Sequence, residues 1–215
     1  MPDLDFQMEG AEVDRYSATP RLIFKLRVTN AVAGESIQNV GLQCQIQIET
    51  ARRCYQPEEQ ERLLELFGEP ERWGQTLRPL LWTHTSVAIP PFEGSCLVDL
   101  PVPCTYDFNV AAVKYFYGLE QGEAPLVLLF SGSVFYQQGS GGLRVSQISW
   151  SKEARFSLPV QMWKEMMEHY YPNNAWLCLR KDVFDRLYDY KMRGGIPTWE
   201  QALEGLLDSI EEEIS

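Results

Sequence analysis

Histidine is scarce in this chain, with only His84 and His169 in 215 residues. That leaves little material for general acid–base catalysis, histidine-assisted nucleophiles or imidazole metal ligation. His84 sits in a strand pattern beside Trp82, Thr83 and Thr85. His169 sits at a helix end, where a positive charge suits the dipole, so both are expected to be structural. Cysteine is present without pattern. Cys44, Cys54, Cys96, Cys104 and Cys178 form an odd, scattered set with no Cys-x-x-Cys, which fits reduced thiols packed as small hydrophobes. No apolar run approaches the ~20 residues that cross a bilayer, and Met1-Pro-Asp-Leu-Asp lacks the basic and apolar regions of a secretory signal. A cytoplasmic protein without membrane insertion is the expectation. Basic residues are the minority, 19 against 30 acidic for a net charge of −11, and such a field repels phosphate backbones. Nucleic acid is therefore not an expected partner. A Pro/Gly/Ser-rich or charge-dense linker is missing too, so residues 1–215 are expected to form a single domain.

The motifs of common chemistries are also missing. Ser131-Gly-Ser133 and Gly139-Ser-Gly-Gly142 lack the Lys-Ser/Thr ending of a phosphate loop and lie between strands, where turns and a bulge are expected. No dinucleotide-binding glycine pattern and no Gly-x-Ser-x-Gly elbow occurs. Glu93, Asp99 and Asp107 surround the Cys96–Cys104 segment, but spacing in sequence does not set the carboxylate separation a glycosidase needs, so they read as surface acids. The expectation is a protein that is not an enzyme, with no catalytic residues, cofactor or metal.

What is present is a change of period. From Leu4 to about Phe156 apolar residues mostly recur at every second position; from Pro159 onward they recur at helical spacing. Val40 to Glu49 is the clearest strand, with Val40, Leu42, Cys44, Ile46 and Ile48 on one face and Gln43, Gln45, Gln47 and Glu49 on the other. Leu22, Phe24, Leu26 and Val28 repeat the pattern, and the Asn30–Ser36 turn suggests that these two strands pair. Leu4, Phe6 and Met8 suggest an edge strand, and residues 82–89, 96–102, 106–117, 126–136 and 143–150 continue the series. Pro57 and Gly68 bracket a short helix over 57–67. About three helices follow: one from Pro159 with Val160, Trp163, Met166 and Met167 in a stripe, one over about Lys181–Arg193, and one from a capping box at Thr198. The predicted fold is α+β: an antiparallel β-sandwich of about 7–9 strands over 1–156, with a C-terminal helical cap over 157–215.

Aromatic residues concentrate near the end, and Trp and Tyr are favoured at protein interfaces. Trp176, Phe184, Tyr188 and Trp199 form the candidate partner surface. The alternating charges of Arg180, Lys181, Asp182, Asp185, Arg186, Asp189 and Lys191 read as a solvated face.

At Leu81–Val87, Val98–Phe108, Leu129–Tyr136 and Trp176–Trp199 the chain resembles a bacterial family catalogued as a domain of unknown function, often encoded beside genes of high-affinity uptake nickel-iron hydrogenases. The resemblance spans nearly the whole chain. It implies an accessory protein for assembly or maturation of such a complex, with a hydrogenase subunit or maturation factor as partner, and it supplies no catalytic residues. Leu26–Thr29 and Leu179–Tyr190 also resemble the export chaperone family built from a β-sheet and terminal helices, from which residues 57–81 depart. The function expected is a non-enzymatic accessory or interaction protein. The alternatives are a chaperone-like client binder, or a sandwich that binds a sugar or peptide through an exposed Trp73 or Trp82.

Overall fold

The computed structural model describes residues 1–104, 110–138, 141–174 and 179–214. They divide into two compact units, Met1–Asn174 and Ala175–Ser215. The first is an eight-stranded antiparallel α+β body. One sheet has the order β1 (Leu4–Val13), β2 (Arg21–Asn30), β5 (Ser95–Pro103). In the other, β4 (Leu80–Ile89), β3 (Glu35–Ile48) and β6 (Glu123–Gln138) lie side by side. The 16-residue β6 pairs on its far edge with β8 (Glu153–Pro159) along its first half and β7 (Leu143–Gln147) along its second.

Alternation dictates what the sheets bury. Leu22, Phe24, Leu26 and Val28 of β2 and Val40, Leu42, Cys44, Ile46 and Ile48 of β3 are all withdrawn from solvent. The two layers interlock through rings: Phe6 stacks on Phe130 with centroids 4.3 Å apart, and Phe24 lies 6.2 Å from Trp82 and 5.6 Å from Phe156. Burying each of these side chains contributes about 1.5–3 kcal/mol. At residue 132, glycine is obligatory. Its φ is +137°, and a Cβ there would stand 2.0 Å from the Gly41 carbonyl oxygen on β3.

Two expectations are corrected. β2 and β3 do not pair: β2 lies between β1 and β5, β3 between β4 and β6, and residues 31–34 carry the chain from one sheet to the other. Asn30 fixes that crossing, its Oδ1 accepting from the backbone N–H of Asp3 and of Val32, both at 3.2 Å. The expected strand 106–117 is instead helix α4 (Val110–Gly118), with residues 105–109 outside the described ones. Ala112, Tyr115 and Phe116 are buried on it at helical i, i+3, i+4 spacing, and Leu119, just past its end, is buried as well.

Between β3 and β4 the predicted helix occurs in two pieces, α1 (Pro57–Arg62) and α2 (Leu64–Phe67), ended by Gly68 at φ +71°; a 3-10 turn and α3 (Trp73–Thr76) follow. Tyr55, Phe67, Trp73 and Tyr115 pack edge to face, with neighbouring centroids 5.2–6.3 Å apart. Helix α5 (Val160–Tyr170) buries the predicted stripe of Val160, Trp163, Met166 and Met167, and its Trp163 stacks on Phe116 at 5.2 Å. The second unit is a helical hairpin of α6 (Lys181–Arg193) and α7 (Trp199–Ile214), turned by Gly195 at φ +61° and capped by Thr198, whose Oγ1 accepts from the Gln201 N–H at 3.2 Å.

Candidate functional site

A hairpin of two amphipathic helices can close only the seam between them, and here the seam is narrow. On α7, Ala202 is fully buried, with Trp199 and Leu206 half-buried at three and four residues' spacing; on α6, Leu187 and Lys191 are the half-buried positions. Of the four aromatics singled out in the sequence, Trp176 lies outside the described residues. The other three come together. Phe184 stands 5.4 Å from Trp199 and 6.3 Å from Tyr188, Tyr188 stands 6.2 Å from Trp199, and the Lys191 ammonium lies 5.5 Å from the Trp199 ring centroid.

The two flanks of the seam differ. On one, the Tyr190 hydroxyl reaches toward Gly205, 3.9 Å from where a Cβ would stand. The other holds the Phe184–Tyr188–Trp199 group, and one further step around α7 on that side come Leu203, Leu207 and Ile210, exposed by 38%, 61% and 52%. Phe184 and Tyr188 are themselves 43% and 48% exposed. Helical spacing therefore lays an apolar strip along both helices on the side where the rings meet. Leu203, Leu207 and Ile210 are apolar at helical spacing in the sequence, but their openness is not written there, because exposure depends on how much of the stripe the neighbouring helix covers.

Charge frames the strip unevenly. α6 carries internal pairs, Arg180 to Asp182 at 2.8 Å and Lys181 to Asp185 at 3.1 Å. α7 carries Glu200, Glu204 and Asp208, with no Lys or Arg between Trp199 and Ile210.

The remaining sequence candidates are dispersed. Trp73 and Trp82, offered as ligand platforms, are buried, with the Trp73 indole N–H donating to the Gly68 carbonyl at 2.8 Å; a packed ring presents no face to a ligand. His84 is exposed on β4, and His169 on α5 sits edge-on to Tyr170 at 5.0 Å. Asp99 pairs with Lys25 at 2.8 Å, and Asp107 and Cys178 fall outside the described residues. Cys44 and Cys104 are buried, with burial pushing both thiols up to about 12, whereas Cys54 is exposed and Cys96 half-buried. Among the described residues, no group of three or more His, Cys, Asp or Glu side chains is placed to hold a metal ion, and no helix is long and apolar enough to cross a membrane.

Two features carried no signal in the sequence. Trp150, in the turn between β7 and β8, is 91% exposed. Arg53 and Glu59, ordinary charges by sequence, form a buried pair at 2.7 Å beneath the turn that leads into β6.

Residues 1–215 match a family described as a family of unknown function (DUF6084). No curated protein matches the chain. Among solved structures it is similar to a late embryogenesis abundant protein determined in solution, at 16% identity over 74% of this chain and 73% of that one, with a TM-score of 0.32.

Proposed function

We propose that this chain, which belongs to the DUF6084 family, is a non-enzymatic accessory protein of the cytoplasm that docks a protein partner on the open flank of its α6–α7 hairpin. The observation that carries the reading is the strip formed by Phe184, Tyr188, Leu203, Leu207 and Ile210 around Trp199. Contiguous exposed apolar surface of this kind is a signature of protein interaction sites, and a ring cluster at its centre has the composition of a binding hot spot. The acidic border of α7 selects the partner's chemistry: an apolar helix or strand flanked by Lys and Arg, which the border would steer into register.

The resemblance described above makes a subunit or maturation factor of a high-affinity uptake nickel-iron hydrogenase the first partner to try. The test is co-expression of the tagged chain with those subunits and factors. The expected result is stoichiometric co-purification of one of them. It should be lost when Leu207→Asp is introduced, with the thermal unfolding of the chain unchanged. Failure of all of them to co-purify removes the hydrogenase reading; co-purification that survives Leu207→Asp removes the hairpin as the docking face.

A further inference from the structure

The two outward faces of the body differ in a way its fold does not require. On the three-stranded sheet the outward residues include charges in pairs: Lys25 between Asp99 at 2.8 Å and Glu12 at 2.9 Å, and Arg27 with Glu9. The middle of the five-stranded sheet has none. Its register lays out the cross-strand rows Ser86–Gln43–Ser131 and Ala88–Gly41–Ser133–Gln147, and a third, His84–Gln45–Leu129, that ends on β8 at Glu153. In a chain with 49 charged side chains, the first two rows hold no Asp, Glu, Lys or Arg, and the third holds only Glu153 at its edge, paired with Arg155 at 2.9 Å.

From this we infer that the outer face of the five-stranded sheet binds a neutral, hydroxyl-rich ligand of the oligosaccharide class, with Trp150 as the platform on which a sugar ring stacks. Side-chain amides and hydroxyls each donate and accept, and a sugar hydroxyl does both, so the two surfaces match group for group. A phosphate or carboxylate ligand would require cations and a cationic ligand would require acids; the rows supply no Lys or Arg, and their one acid, Glu153, is already engaged by Arg155. The side-chain amides of Gln43 and Gln45 make no hydrogen bond to another described residue, whereas Gln147 Nε2 donates to Ser133 Oγ at 3.1 Å and closes that end of the array.

The backbone places the tryptophan. The Ile148 N–H donates to the Gly132 carbonyl at 2.9 Å and the Phe130 N–H to the Lys152 carbonyl at 3.0 Å, so the turn between them rises beside Ser131. Trp150 lines the resulting cleft of about 640 Å³ together with Gln43, Gln45, His84 and Ser131. That volume is within the range of small-ligand sites. Trp73, Trp82 and Trp163 are buried in the core and Trp199 is half-covered by Phe184 and Tyr188; among the described tryptophans, Trp150 alone is open. An indole face pairs with the C–H face of a sugar while hydroxyls reach the neighbouring amides.

The experiment is calorimetric and tryptophan-fluorescence titration of the full chain with maltohexaose, cellohexaose, laminarihexaose and mannohexaose, with hexagalacturonate as the charged control. At least one neutral hexasaccharide should bind with a Kd of about 10 μM to 1 mM. Trp150→Ala should weaken it about tenfold or more, and the Gln43→Ala, Gln45→Ala pair about fivefold. Both variants alter exposed or half-exposed side chains, and their unfolding curves should overlay the parent's. Phe184→Ala, in the hairpin, should leave the affinity unchanged. The proposal is overturned if no neutral hexasaccharide binds below about 10 mM, if Trp150→Ala binds as the parent does, or if hexagalacturonate binds more tightly than every neutral probe.

Discussion

Replacing Glu59 with alanine removes the centre of a buried polar clamp. The Glu59 side chain is 2% exposed. Its Oε1 accepts from Arg53 Nη2 at 2.7 Å and from the Glu120 N–H at 2.9 Å, and its Oε2 accepts from the Gln56 N–H at 3.2 Å. Arg53 in turn donates to the carbonyls of Gln121 and Glu123, both at 2.6 Å, and the Gly122 carbonyl between them accepts from the Val160 N–H that opens α5 at 2.9 Å. One carboxylate thus holds the start of α1, the turn into β6 and, through that turn, α5. In Glu59→Ala the guanidinium of Arg53, whose side chain is 11% exposed, keeps its desolvation cost and loses its counter-charge, while the Glu120 N–H loses its acceptor. Breaking a buried pair from one side costs about 3–5 kcal/mol. For a body of this size, 1 kcal/mol moves Tm by about 2–4 °C, so the midpoint should fall by between about 6 and 20 °C. The Arg53→Met, Glu59→Leu double variant should lose clearly less than the two single variants added together, because it leaves no orphaned charge. Urea and thermal unfolding of the parent, Glu59→Ala, Arg53→Met, Glu59→Leu and the double variant by circular dichroism make the comparison. A loss below about 1 kcal/mol in Glu59→Ala, the level of a surface pair, or strict additivity in the double variant, would refute the clamp.

Other consequences follow from single contacts. Gly132→Ala must displace the Gly41 carbonyl or leave its φ of +137°, and should cost roughly 2–4 kcal/mol in urea unfolding; a cost below ~0.5 kcal/mol would contradict the close approach of β3 and β6. In the folded protein iodoacetamide should alkylate Cys54 while Cys44 and Cys104 stay unmodified until denaturant is added, as peptide mass mapping would reveal. The hydrogen bond from Arg21 holds the Asp14 carboxyl below its ordinary 3.8. Its stabilisation is therefore complete above that value and is lost as pH falls through the depressed one; an NMR titration should show the depression in the parent and its disappearance in Arg21→Gln.

The sequence made one kind of information legible and withheld another. Alternation in Leu22–Val28 and Val40–Ile48 specifies which side chains turn inward, and every one of them does. Alternation has no say over which strand lies alongside, so β2 and β3 were expected to pair when Asn30 and Gly34 in fact pass the chain between sheets. Val110–Tyr117 is apolar on nearly every side, and such a run carries strand and helix periods equally well; Ala112, Tyr115 and Phe116, packed beneath β4 and α5, settle it as a helix. Lys181–Arg193 was legible to the residue, since Gly194-Gly195 ends it and its stripe is regular. The open flank of the hairpin, the exposure of Trp150 and the burial of Trp73 and Trp82 were not, because a tryptophan's type says nothing about which neighbour covers it. The Arg53–Glu59 pair joins residues only six apart, yet its meaning lies in the carbonyls of Gln121 and Glu123, which the fold brings in from 68 and 70 positions away.

Docking on the hairpin is tested most directly by hydrogen exchange. Purified hydrogenase subunits and maturation factors are added one at a time to the full chain, and exchange is followed by mass spectrometry. The account predicts that one of them slows exchange over residues 183–191 and 199–210, and that Leu207→Asp abolishes the protection. Exchange unchanged by every one of them, or protection confined to the β-sheets of Met1–Asn174, would contradict it.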